Sequence, residues 1–270
     1  MPYDHQTAPN DYKKGSLSLV GEIAMGTGVM IGAGIFALTG QMANQAGSLF
    51  PLAFLSAAIV TAFSAYSYIK MSNAYPSAGG IAMYLKKAYG EGTITGVCSL
   101  LMYFSMVINE SLVARTFGEY TLQLFDVGEV AWLVPVLGVG LLIFAFIVNI
   151  LGNEFIGKMS MVTAVIKILG IVIFAGIGLW LSGWSFQTVT SLQDASGGGF
   201  LAATALGILS YKGFTTITNS GGELKNPHRN VGLAIIISIA ICVALYLLGA
   251  FAVAGSLALT EIVRAKDYVL

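Results

Sequence analysis

The chain has 270 residues, 56% of them hydrophobic and 10% charged, and its 13 basic and 13 acidic side chains give a formal net charge of +0. Soluble domains carry about 25% charged residues, so this composition, with a mean hydropathy of +0.82, excludes an ordinary soluble protein and offers no charge-based argument for a nucleic-acid partner. Cys98 and Cys242 lie in separate apolar runs with no CxxC or histidine neighbour, which suggests neither a disulfide framework nor a metal site.

The N-terminal stretch MPYDHQTAPNDYKKG is polar and lacks the short apolar region and small-residue cleavage site of a signal peptide. Seven apolar runs follow, near residues 17–42, 49–70, 94–124, 131–151, 158–182, 200–221 and 231–256. They are continuous rather than alternating, so they predict membrane-spanning helices and not barrel strands.

The first run contains GTGVMIGAGIF, with glycines at 26, 28, 32 and 34. Each glycine costs about 1 kcal/mol relative to alanine inside a helix. One explanation is a close-packing surface of small residues. The other is a break between Ile31 and Ile35. The second half-helix would then offer free N–H groups to a carboxylate, and carbonyls ending the first half would suit an ammonium or another cation. Together they would hold an amino-acid zwitterion.

Between the second and third runs lies YPSAGGIAMYLKKAYG. Pro76 and the Gly79–Gly80 pair oppose a regular helix there, while the aromatics, Lys86 and Lys87 suit an interfacial or gate element or a plain amphipathic linker. In the third run Asn109, Glu110, Arg115 and Glu119 interrupt an apolar helix. Arg115 and Glu119 share a face four residues apart and predict an ion pair near the outer end. Glu110 is a deeper candidate partner for Lys167.

Lys167, in the fifth run, stands nine residues beyond Lys158. That is about 13 Å along a helix, close to the middle of a ~30 Å hydrocarbon layer. An ionisable residue at that depth is a functional candidate by default, the plain alternative being a permanently paired structural lysine. The sixth run is interrupted by SYKGFTTITNSGGELKNP, Ser210 to Pro227, through Gly213 and the polar tract beyond it. Two interrupted runs in corresponding positions of two halves point to a transporter site, and this favours the break over the packing surface in the first run.

Basic residues orient the chain. Lys13, Lys14, Lys70, Lys86, Lys87, Lys158, Lys225 and Arg229 fall on one side, which reads as cytoplasmic together with the N-terminus. Arg264 and Lys266 fall on the other side, where Trp132, Trp180 and Trp184 mark predicted outer ends.

The motifs GVMIGAGIF, YPSAGGIAMYLKKAYG, VARTFGEY and YKGFTTITNSGGELKNPHRNVGLAI, in this order across most of the chain, resemble the amino acid-polyamine-organocation (APC) superfamily of permeases. The resemblance implies an all-α integral membrane protein, a partial inverted-repeat (LeuT-type) bundle of about seven transmembrane helices with the first and sixth discontinuous. It implies a tail at 1–16, a five-helix repeat at 17–182, an extracellular loop at 183–199, the first two helices of a second repeat at 200–256 and a further loop at 257–270. The chain is then expected to be a fragment lacking most of that second repeat.

By the same resemblance, Met30, Gly32, Ala33, Gly34 and Ile35 line the substrate site from the first helix, with the Gly32–Gly34 backbone taking the carboxylate. Leu209, Tyr211, Lys212, Gly213 and Thr215 line it from the sixth. Lys167 matches a fifth-helix lysine whose ammonium, in some proton-coupled members, occupies the place of a sodium ion. The implied activity is proton-coupled transport of amino acids or related amines, with sodium-coupled or exchange transport as the alternative. Two departures stand out: a single Glu223 follows Gly221 and Gly222 before KNP, and Lys212 sits beside the break. Lys212 would complement an acidic substrate, repel a cationic one, or turn away from the site.

An intramembrane enzyme would need a nucleophile with its base or a metal cluster. His5 and His228 lie outside the apolar runs, and no HExxH or elbow GxSxG occurs. No enzyme, cofactor or metal is therefore expected. A channel or seven-helix receptor has no need of two broken helices.

Overall fold

The computed structural model describes residues 15, 17–125, 132–150, 153–184, 196–265 and 269, without the side chains of Ala33, Asn149 and residues 153–158. The elements among them are helical: α1 Leu19–Met30, α2 Ala33–Phe36, α3 Thr39–Ala46, α4 Phe50–Ala74, α5 Gly80–Tyr89, α6 Thr93–Leu124, α7 Leu133–Ile150, α8 Asn153–Leu181, α9 Gly197–Ser210, α10 Phe214–Asn219, α11 Pro227–Ser256 and α12 Leu259–Ala265. Six stretches are long and apolar enough to cross a membrane, and Leu133–Val148 is a shorter apolar helix. All seven apolar runs of the sequence thus form helices, in a multi-pass membrane bundle.

Local chemistry sets the ends. The Ser18 hydroxyl accepts from Gly21 N–H at 3.1 Å and the Ser196 hydroxyl from Gly199 N–H at 3.0 Å, capping α1 and α9. α11 starts at Pro227, whose missing N–H costs nothing at a first helical position, after Asn226 in the left-handed region (φ 50°). α5 corrects the expectation that the glycine pair opposes a helix. The helix begins at Gly80 itself, where φ is +48°, a conformation glycine adopts without strain.

α11 is the centre of the bundle and packs against α4, α8 and α1, while α9 packs on α4 and α3. α6 and α7 form a peripheral pair, and of the 32 residues of α6 only Ala114, Thr116 and Gly118 are buried. Segment 257–270, read from sequence as a loop, contains α12, which packs on α3 and buries Ile262. The carboxylate of Glu261 caps it by accepting from Ala258 N–H at 3.3 Å.

The ends of the bundle differ. At one end the C-terminus of α4 meets the start of α11, where the Asn73 side chain accepts from Gly232 N–H at 3.1 Å. There too the strand-like residue Leu17 pairs with the segment after α10, through Leu17 N–H to Glu223 O at 3.1 Å and Lys225 N–H to Leu17 O at 3.2 Å. Lys70, Lys86, Lys87 and Arg229 belong to the helices of this end, and Lys225 to the segment that pairs with Leu17. Trp180 and Trp184 close α8 at the other end, exposed as an interfacial belt requires. The sequence-based assignments of Lys13, Lys14, the Lys158 side chain, Lys266 and most of loop 183–199 lie outside the described residues.

Candidate functional site at two interrupted helices

The first predicted span is broken where α1 ends at Met30 and α2 starts at Ala33. Ile31, at φ −77° and ψ 77°, turns the chain out of the helix. The sixth is broken between Ser210 and Phe214, where Tyr211, Lys212, Phe214, Thr215 and Thr216 N–H groups bond carbonyls three residues back, tightening the helix into a turn.

These interruptions lie against each other. A β-carbon on Gly34 would stand 2.6 Å from the Tyr246 hydroxyl oxygen and 2.8 Å from the Ser210 carbonyl. One on Gly213 would stand 2.7 Å from both the backbone nitrogen and Cγ of Met30. Only glycine permits these approaches, which accounts for the glycines that weaken each helix.

Carbonyls released by the breaks find side-chain donors. Ser210 Oγ–H donates to Gly34 O at 3.0 Å, and the Tyr246 hydroxyl lies 2.5 Å from Met30 O and 3.1 Å from Ser210 O. With one proton, Tyr246 donates to one of them at a time, so it bridges both broken segments from α11. Lys167 Nζ donates to Gly28 O at 3.0 Å, in the last turn of α1. A cation at a helix C-terminus meets the negative end of the dipole as well as a carbonyl.

The sequence-predicted residues are therefore brought together unequally. Met30, Gly34, Ile35 and Tyr211 are buried at the junction, with Gly213 against Met30 and Gly32 in the turn between α1 and α2. The backbone of Ala33 opens α2, and its side chain lies outside the described residues. Tyr211 donates to Phe54 O at 3.4 Å, and its ring lies 5.0 Å from that of Tyr246. Thr215 is buried but turned back onto Lys212 O at 3.0 Å, and Leu209 is half-buried. Lys212 leaves the junction for α6, where its ammonium bonds Ser105 Oγ.

Of the remaining candidates, Arg115 and Glu119 form the expected ion pair at 3.8 Å, with Arg115 largely exposed. Glu110 is exposed, and among the described residues no ion pair joins it to Lys167. Tyr84 of α5 is buried and shares a 2.9 Å hydrogen bond with Ser72. Burial pushes its phenol above the ordinary tyrosine value, partly offset by the Ser72 and Thr218 hydroxyls, so it stays a neutral hydrogen-bonding group.

Sequence reasoning missed Ser210, Tyr246 and Glu22. Tyr246 carries a polar tip inside CVALYLLGA, and such a tip needs a buried partner. Glu22 is an acid inside an apolar run, a signal that an inventory of the basic residues alone passes over.

A family model described as amino acid permease matches residues 17–269. The chain belongs to the amino acid permease family. Similar proteins include an uncharacterised protein of Methanocaldococcus jannaschii, 33% identical over 96% of this chain and 60% of its own. Others are the inner membrane transport protein YbaT of Escherichia coli, 29% identical over 93% and 58%, and the serine/threonine exchanger SteT of Bacillus subtilis, 27% identical over 97% and 59%. The permease chain thus spans about three-fifths of the length of these relatives. The APC resemblance read from the motifs agrees with the family match.

Proposed function

We propose that this chain forms the substrate-holding part of a secondary active transporter, not an enzyme, that moves amino acids or related amines across the cell membrane with its N-terminus in the cytoplasm. Substrate is held where the first and sixth helices are interrupted, in contact with Met30, Gly32, Ala33, Gly34 and Ile35 on one side and Leu209, Tyr211, Gly213, Thr215 and the backbone of Lys212, whose side chain turns to Ser105, on the other. The observation that carries this reading is the meeting of both interruptions at the Gly34–Ser210 and Met30–Gly213 approaches, with Tyr246 bridging them.

The chemistry suits a zwitterion. A helix start has N–H groups without intrahelical acceptors, so the opening of α2 at Gly32 to Gly34 suits a carboxylate. Carbonyls near Met30 suit an ammonium. The names of relatives support the substrate class: a serine/threonine exchanger and a branched-chain amino acid permease are among them.

The coupling ion in this reading is the proton, carried by Lys167. Its ammonium already bonds Gly28 O at the end of α1, and its loss would leave that carbonyl without its charged partner. A change in its protonation would therefore be felt directly at the first interruption. In proteoliposomes holding the full-length protein, Lys167→Ala is expected to lower pH-driven accumulation at least tenfold and to flatten its pH dependence. Unchanged accumulation with an unchanged pH profile rejects Lys167 as the coupling group and favours sodium-coupled or exchange transport, which replacement of sodium by choline, and preloading with substrate, then tell apart.

A further inference from the structure

Glu22 stands in the first turn of α1, 0% exposed, below the interruption and outside the site described above. Its Oε1 accepts from Ser220 Oγ–H at 2.8 Å, and Ser220 lies at the end of α10, so this bond ties the inner half of the first span to the tail of the sixth. Its Oε2 is buried with no hydrogen-bond partner among the described residues. An isolated buried carboxylate is among the costliest groups a fold can hold, far more so than a neutral polar atom lacking a partner, and it persists only beside a positive charge.

Among the described residues no side chain supplies that charge. α10 carries no basic residue, Lys225 in the segment after it is exposed, and the basic residues of α11 are His228 and Arg229, in its first turn. His228 is bonded to Asn73 O and Lys167 to Gly28 O. The charged neighbour that acts on Glu22 is Glu223, another acid, which deepens the deficit. The dipole at the start of α1 favours a negative charge here but amounts to about half a unit charge.

We propose that Glu22, with Ser220, is a binding site for a small monovalent cation, a proton or sodium, whose occupancy holds the inner ends of the first and sixth spans together. Such a cation neutralises Oε2 while the Leu17–Leu224 pairing and the Glu22–Ser220 bond close this end. Separation of α1 from α10 opens the site to water, where the carboxylate no longer needs a bound ion. The inference does not depend on the substrate or on transport.

The test is thermal unfolding of the full-length protein in detergent, wild type against Glu22→Gln, which supplies a neutral isostere permanently. A cation that binds the folded state raises apparent stability in proportion to its occupancy. The wild type is expected to gain stability either on mild acidification in choline chloride, identifying the proton, or on replacing choline by sodium at fixed pH, identifying sodium. Glu22→Gln is expected to lose that gain. Equal dependence in both proteins, or no dependence in the wild type, overturns the proposal. Should Glu22→Gln fail to fold, Ser220→Ala keeps the carboxylate and is expected to retain the cation dependence with its midpoint shifted about tenfold, the size of one charge-assisted hydrogen bond. An unshifted midpoint in that variant also overturns it.

Discussion

The junction of the first and sixth spans and the α6–α7 pair are both made of apolar, glycine-containing sequence, yet they solve the membrane problem in opposite ways. α6 and α7 are continuous, satisfy their own backbone, and present apolar side chains such as Leu101, Phe104, Phe144 and Phe146 outward. At the junction the backbone is broken, and three of its carbonyls are matched to side-chain donors: Ser210 to Gly34, Tyr246 to Met30, Lys167 to Gly28. A broken helix survives in lipid only where other elements re-satisfy it, so the irregular region is also the most tightly specified one.

The largest expected effect that tests this contrast is Gly34→Ala. Its β-carbon meets a backbone carbonyl and the Tyr246 oxygen below 3 Å, so the segments must separate. A loss of about 1–3 kcal/mol in thermal unfolding is expected, typical of overpacking, together with loss of substrate-induced stabilisation. Gly34→Ala with wild-type stability would show that the segments do not press together as described.

Tyr246→Phe is next. It removes one hydroxyl serving two buried carbonyls while keeping the ring packed between Tyr211 and Phe54. The cost of orphaning a buried acceptor is about 1–3 kcal/mol, read as a lower unfolding temperature. An effect near zero would mean that water or Gly32 N–H alone satisfies Met30 O.

Gly140→Ala in α7 is the control from the other region. Nothing among the described residues lies within 4 Å of the new β-carbon. Stability should stay level or rise by up to about 1 kcal/mol through helix propensity. A marked loss there would show that this pair is as tightly specified as the junction.

Much of the architecture was legible in the residues. The apolar runs report helices because a spanning segment must bury its own backbone, and the interruptions at Ile31 and Tyr211 announce themselves through glycines that a continuous helix would not favour. The Arg115–Glu119 pair was legible because spacing of four along one helix fixes proximity. The Glu110–Lys167 pairing was not, since no spacing rule relates two helices, and the ammonium of Lys167 is taken up by Gly28 O.

By itself, then, the sequence determined the number of apolar helices, their orientation-bearing charges and the two points where they weaken. All of these depend on hydropathy and backbone preference read along one chain. Only the tertiary structure decided that the weak points meet, that Tyr246 and Ser210 serve both, that Lys212 turns to Ser105, and that Glu22 is sealed under Ser220. Those are contacts between residues up to 216 positions apart, and such distances are closed by packing against α11 rather than by any local pattern.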